Sequence, residues 1–489
     1  MTQKEKLLTA AILSVWMIYL LFQPGHPNDE AEHLHIAWLI QVHGLKPISD
    51  FFEHHQPAIW HLIGSLFRIG VNDDWLLFFG RIYVVVAALL SAIGLYLIGC
   101  RSTGVNAKSL LIPVFYFMLS SLFLKNLMVI RPETFATPCI IYCVLLWRAS
   151  FSATQTNARL LSAGAGLLGI AAVMISPRFA ILAPGIPLLF PSHLTVSMSQ
   201  VIYRVTWGLL GSAVGFFLSL NFFNQSLADL TFNVEFSALL QTTGVGFYAG
   251  FPIILFVGVF SLLLFVIYLG NSQYSNSVKK VYLAIFIFIY LISIYFSGKY
   301  FYNQSIFPFV VWIALFMAST PLMSGGAQQN TLWTTSVAFT TVAAVFSTYQ
   351  ISMLGFNSIN RSNTTRALMR KIVPEDQSVL LPYTLHPITR LDPGYYALPI
   401  LEGNNRLCNT IEIFDASAAL PPCDYHETLR HYRPALVAMR FIPKSDDDRN
   451  YAQFISINYR YNPDLGVLIR HDIKIPEDLT TEATPVENL

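Results

Sequence analysis

Charge is scarce in this chain of 489 residues: 12% of them are Asp, Glu, Lys or Arg, against 54% hydrophobic. That balance excludes an ordinary soluble domain, and a mean hydropathy of +0.52 agrees. No P-loop, Rossmann glycine pattern, zinc-finger spacing or internal repeat is present. The familiar nucleotide-phosphate cradles and repeat scaffolds are therefore excluded, and nothing points to a nucleic-acid partner. Cysteines number five. Cys100, Cys139 and Cys143 fall in or beside apolar runs, as small packing residues do. Cys408 and Cys423 lie in a polar region, where an oxidising compartment would let them pair, with the free thiols as the open alternative.

What is abundant is long apolar sequence. A helix needs about 20 residues to cross a bilayer. Runs near that length occur at 7–22, 75–99, 105–124, 132–146, 160–175, 179–190, 201–220, 248–269, 281–296, 306–323 and 332–353. The first has no small-residue cleavage site after it and reads as a span rather than a leader. The expectation is an α-helical multi-pass membrane protein with about eleven transmembrane helices over 1–355. The run at 179–190 is short and proline-rich. With a cytoplasmic N-terminus, the inner loops hold Lys4, Lys6, Arg101, Lys108, Arg148, Arg159, Arg204, Lys279 and Lys280, with Glu5 as their one acid. The other acids before position 355 fall outside, as the positive-inside bias predicts. An odd number of spans puts the tail outside too. Residues 356–489 lose the apolar runs and carry 17 of the 28 acids. Short stretches such as Ser378–Leu381 and Ala435–Met439 read as buried strands of a small α/β domain.

Ionisable groups are concentrated in the first outer loop, about 24–74. The stretch NDEAEHLHIAWLIQVHGLKPISDFFEHHQP, Asn28–Pro57, holds Asp29, Glu30, Glu32, Asp50 and Glu53 with His33, His35, His43, His54 and His55. Polar groups kept beside a membrane are expensive and often functional. Asp29 to His43 has the pattern of one helix, ended by Gly44 and with apolar residues that suit a membrane surface. Asp29 and Glu32 have capping-box spacing. Capping would explain Asp29 alone, but not Glu30 or the second cluster at Asp50 and Glu53. Glu53, His54 and His55 are also ordinary ligand types for a divalent metal ion, without a tight ligand spacing to support one. On the outer side, four cations stand at span ends: Arg81, Arg131 in Ile-Arg-Pro-Glu, Arg178 in Ser-Pro-Arg-Phe and Lys299 in Gly-Lys-Tyr-Phe-Tyr. Each alone is explained by snorkelling to lipid phosphates; together with the acids they suit an anionic, membrane-borne ligand.

An Asp-Glu pair after the first span, a Phe-Phe-Glu-His-His-x-Pro segment, then Arg-Pro-Glu and Lys-Tyr-Phe-Tyr before later spans resemble the GT-C glycosyltransferases. The branch is that of protein O-mannosyltransferases and lipid A aminoarabinose transferases. The resemblance spans the chain. It implies sugar transfer from a polyprenyl phosphate carrier to an acceptor hydroxyl at the outer face of the plasma membrane, bacterial in this case, usually with inversion. In residue terms it implies Asp29 as base, Glu30 as its orienting neighbour, and Glu53 as a second acid for acceptor or metal. Arg131, Arg178, Lys299 and Arg81 would serve the donor phosphate, and Asp50, His54 and His55 the sugar or acceptor. The acceptor is a glycan, glycolipid or protein; membrane lipids surround the spans; a divalent metal is the one cofactor considered. The chain departs from the pattern in reading Glu-His-His-Gln-Pro without the Lys-Pro of the aminoarabinose enzymes, and in lacking a β-trefoil-sized insertion. A secondary transporter or lipid-linked sugar flippase is the alternative, but it would carry polar features near the bilayer midplane. Here charge gathers at one face.

Overall fold

The computed structural model describes residues 27–53, 55–103, 129–189, 197–242, 275–297, 302–320, 356–382, 385–394, 425–439, 449–463 and 465–476, with scattered positions between them. In chain order the helices are α1 (Pro27–His43), α2 (Ala58–Ile63), α3 (Asp73–Thr103), α4 (Pro132–Ser150), α5 (Gln155–Ile175), α6 (Met198–Phe222), α7 (Leu227–Thr242), α8 (Asn276–Ser297), α9 (Tyr302–Ser319), α10 (Phe356–Ile372), α11 (Tyr425–Tyr432) and α12 (Arg449–Asn458). Four strands are β1 (Val379–Leu380), β2 (Leu436–Ala438), β3 (Tyr459–Asn462) and β4 (Val467–Arg470). The chain divides into two compact units. One comprises Met1–Gln23, Arg81–Leu230 and Gly244–Gly355; the other comprises Pro24–Gly80, Thr231–Thr243 and Phe356–Leu489.

The first unit is helical. Among the described residues, α3, α5, α6 and α8 are long and apolar enough to cross a membrane. The runs at 7–22, 105–124, 248–269 and 332–353 lie wholly or almost wholly outside the described residues, so the count of eleven stands as an expectation. The run at 179–190 does not form a spanning helix. It is two short 3-10 turns, Pro177–Leu182 and Ile186–Leu188. Pro184 and Pro187 each remove a backbone donor and clash with the preceding turn, which stops an α-helix from propagating.

Helix α9 forms the core of this unit. From Phe307 to Ala318 every residue is buried. Phe309, Trp312 and Phe316 meet Phe265, Phe286, Tyr282 and Tyr290 at ring separations of 4.5–6.3 Å. Arg148 and Arg204, expected in inner loops, are buried and donate to carbonyls. Arg148 reaches Leu189 O at 3.2 Å, and Arg204 reaches Ser150 O at 3.2 Å while lying over the Phe151 ring.

Helices α5 and α6 approach until their backbones touch. A Cβ on Gly166 would lie 1.8 Å from Gly208 O, and one on Gly211 would lie 2.0 Å from Ala163 O. Ser212 Oγ donates to Gly166 O at 3.0 Å. Small residues allow such approach where lipid gives no hydrophobic drive to pair. Gly166→Leu and Gly211→Leu are each expected to force the helices apart and to destabilise by about 3 kcal/mol or more, since overpacking here meets backbone. The check is thermal melting in detergent by circular dichroism; an unchanged midpoint would refute the close crossing.

The second unit has a four-stranded sheet in the order β1-β2-β4-β3. Strands β1 and β2 are parallel, with Val379 opposite Leu436. Strands β2–β4 and β4–β3 are antiparallel, with Val437 opposite Leu468 and Tyr461 opposite Leu468. The β1, β2 and β4 residues are almost all buried, as apolar runs bounded by turns require. Their core also takes in Ala31 of α1, Phe52 and Phe232 of α7. One apolar cluster thus joins the first outer loop to the tail, and this is what holds the loop's acids in place.

Candidate active site

Helix α1 starts at Pro27, a residue suited to the first turn because its missing donor would be unpaired there anyway. It ends before Gly44, whose φ of +68° provides the left-handed exit the sequence predicts. Two expectations about α1 are corrected. The helix does not lie on a surface with one apolar side exposed: every residue from Glu30 to Leu39 is buried. Asp29 is not the N-cap of a capping box either. It sits inside the first turn with Glu30, where the helix dipole favours a carboxylate. Asp29 is half-buried, and Glu30 is 0% exposed.

The second acidic cluster packs beside α1. Glu53 is fully buried and accepts two hydrogen bonds from His55, from the backbone N–H at 2.9 Å and from Nδ1 at 2.7 Å. A carboxylate buried this deeply needs such donors. The His55 side chain is 25% exposed. The His55 ring meets His33 edge-on at 5.7 Å. His33 Nδ1 accepts from the Trp60 indole at 3.1 Å, which places the His33 ring proton on Nε2. Asn233 of α7 donates to His55 O at 3.4 Å. Buried Glu53, His33 and Trp60, with half-buried His55, therefore form one constellation across α1, the residues before α2 and α2 itself. Asp50 stands apart. It is exposed, and its carboxylate closes its own turn by accepting from Lys46 N and Ser49 Oγ. His54 lies outside the described residues.

A third group was not singled out in the sequence. His35 Nε2 lies 2.7 Å from Asp392 Oδ2, and His386 Nε2 lies 3.1 Å from Asp392 Oδ1. Both Nδ1 atoms donate to carbonyls, His35 to Ile388 at 2.7 Å and His386 to Pro387 at 2.6 Å. The rings are 4.5 Å apart. Burial opposes charge on Asp392, but the two imidazoles outweigh it and hold the carboxyl below the usual carboxylate range. Burial also opposes charge on His35, where Asp392 prevails and raises its pKa. On His386 burial and the neighbouring His35 prevail and lower it.

In the first unit, Arg131 caps α4 in an extended conformation, φ −146° and ψ 153°, as the residue before a proline must. It is 8% exposed. Glu133, in the first turn of the helix, is 1% exposed and is ion-paired with Arg178. Burial and both charged neighbours act on Arg131, so the three form one electrostatic group. It contains two cations and one anion. Arg81 is buried and donates to Leu21 O at 3.2 Å. Lys299 lies outside the described residues, as do Cys408 and Cys423.

The residues missed in the sequence are His386 and Asp392, together with the roles of His33 and His35. His33 and His35 were visible as part of a histidine-rich loop, but their partners lie 27 to 357 positions away.

No protein-family model and no curated protein matches the sequence. Among solved structures, the chain is similar to the crystal structure of ArnT from Cupriavidus metallidurans bound to undecaprenyl phosphate. The TM-score is 0.58 at 13% sequence identity, and the match covers 99% of this chain and 100% of that one. The chain shares the fold of that ArnT over its whole length.

Proposed function

We propose that this protein is a GT-C glycosyltransferase of the bacterial inner membrane. It moves a sugar from a polyprenyl phosphate carrier to an acceptor hydroxyl at the extracytoplasmic face, with inversion. The observation that carries this reading is the full-length likeness in fold to a protein whose structure holds undecaprenyl phosphate. The residues suit the chemistry. Asp29 takes the acceptor proton, and the acceptor oxygen attacks the anomeric carbon as the bond from that carbon to the phosphate oxygen breaks. The carrier leaves as its phosphate. A phosphate leaving group needs neutralisation more than protonation, and cations in a water-poor cavity provide it. Arg131 and Arg178 fill that role, with Lys299 and Arg81 as further members of the donor site. Glu30 orients the base. Glu53 and His55, with His54 and Asp50, hold acceptor or sugar hydroxyls. About eleven spans, a cytoplasmic N-terminus and an extracytoplasmic α/β tail complete the proposal.

The test is incubation of the purified protein in lipid nanodiscs with a panel of polyprenyl phosphate sugars and hydroxyl acceptors. Release of free carrier, matched by new glycosidic product, is the expected result. No release with any donor, together with movement of a labelled lipid-linked sugar across vesicles, would replace the enzyme with a flippase.

A further inference from the structure

We infer that His35, His386 and Asp392 form a divalent-metal site, zinc by its chemistry, that clamps helix α1 to the 386–392 segment. Their ligand atoms lie within 4.8 Å of one another. The argument is one of protons and lone pairs. Each Nδ1 faces a carbonyl oxygen, which accepts and cannot donate, so each Nδ1 carries its proton. Both Nε2 atoms then face the same carboxylate. If either imidazole is neutral, its Nε2 lone pair points at a carboxylate oxygen or needs a proton on that oxygen. If both are protonated, two imidazolium rings sit 4.5 Å apart in a buried site, with Asp392 between them and Asp73 acting on His35. Like charges packed this close away from water are costly. A divalent cation resolves the conflict. Two neutral imidazoles present Nε2 lone pairs to it, Asp392 presents an oxygen, and both Nδ1–H groups keep their carbonyl partners.

That outer arrangement is itself characteristic of metal sites. A ligating histidine nearly always donates its other ring N–H to a carbonyl or carboxylate, which fixes its tautomer and orientation. The two imidazoles are fully buried, and the Asp392 side chain is 13% exposed. Trp38 stacks on His35 with ring centres 5.7 Å apart and closes one side. Two nitrogens and one carboxylate oxygen suit zinc, which takes a water as fourth ligand. Tetrahedral zinc at about 2.0–2.1 Å from each atom sets ligands about 3.3 Å apart, so loading lengthens the 2.7 Å His35–Asp392 separation by roughly half an ångström. The site is separate from Glu53 and His55, and it does not depend on the glycosyl-transfer reading. It lies on the helix that carries Asp29 and Glu30.

The experiment uses the full chain in detergent, stripped with EDTA and then reloaded with Zn²⁺ or Co²⁺. The expected results are one tightly held equivalent by plasma mass spectrometry, visible d–d absorption with Co²⁺, and a melting temperature raised by about 5 °C or more on reloading. His386→Ala and Asp392→Asn should each lose the Co²⁺ spectrum and the melting response. A Glu53→Gln/His55→Ala double variant should keep both. Wild-type protein that holds no equivalent and gives no Co²⁺ spectrum overturns the inference without recourse to any variant. So does an equivalent that survives in His386→Ala and Asp392→Asn, or one that disappears with Glu53 and His55.

Discussion

Asp29→Asn is expected to lower sugar transfer by about 100-fold or more while leaving the protein folded and inserted. A positioned general base contributes roughly 10²–10⁴ to rate. The substitution keeps size and hydrogen-bonding capacity but removes basicity. Asp29 has the position a base needs. It lies in the first turn of α1, where the helix dipole favours negative charge, and it is half-buried, so the side chain is both held and reachable. Its neighbour differs in a way that gives a control. Glu30 is 0% exposed, so Glu30→Gln should act through positioning and cost stability as well as rate. The checks are turnover, detergent melting and size-exclusion profile, measured side by side. An Asp29→Asn enzyme of wild-type rate would end the base assignment. One with a collapsed melting temperature would assign Asp29 to the helix instead; Asp29→Glu, which restores the carboxylate, then separates charge from shape.

What the sequence revealed and what it concealed divide along physical lines. Local signals carried well. The helix ending at Gly44 rests on a positive φ that glycine accepts at no cost, and the buried stretches around Val379 and Leu436 show as apolar residues between turns. Claims about surroundings did not carry. The apolar residues of α1 suggested a membrane surface, yet the helix also buries Glu30, Glu32, His33 and His35, because a tail more than 300 positions later shares its core. Periodicity reports that a face is apolar; it does not say what covers it. The pairing of His35 with Asp392 is concealed for the same reason, being a contact 357 positions apart. The crossing of α5 and α6 depends on Gly166 meeting Gly208, and small residues announce close packing only when the partner helix is known. Proline, in contrast, acts locally. Pro184 and Pro187 argue against a span at 179–190 from sequence alone, and hydropathy outweighed them there.

Arg131→Ala is expected to lower kcat/KM for the lipid donor by about 10²–10³, as removing one donor group from a developing oxyanion does. The acceptor KM should change little. The alternative for an outer-face arginine is snorkelling, in which a flexible stem carries the guanidinium out to headgroups. Arg131 does not fit that description, because it is 8% exposed and its backbone is fixed by Pro132. Glu133 is ion-paired with Arg178, and Arg131 lies in the field of both. A donor phosphate is the kind of anion that neighbouring arginines hold. Arg178 is the poorer probe. Removing it strips an ion pair from a buried carboxylate, and breaking such a pair costs about 3–5 kcal/mol of stability, so lost activity would not be interpretable. Arg131→Lys should recover part of the donor effect, because the point charge returns without the planar fork. An equal fall for donor and acceptor, or none for either, would mean that these cations anchor the start of α4 and take no part in leaving-group departure.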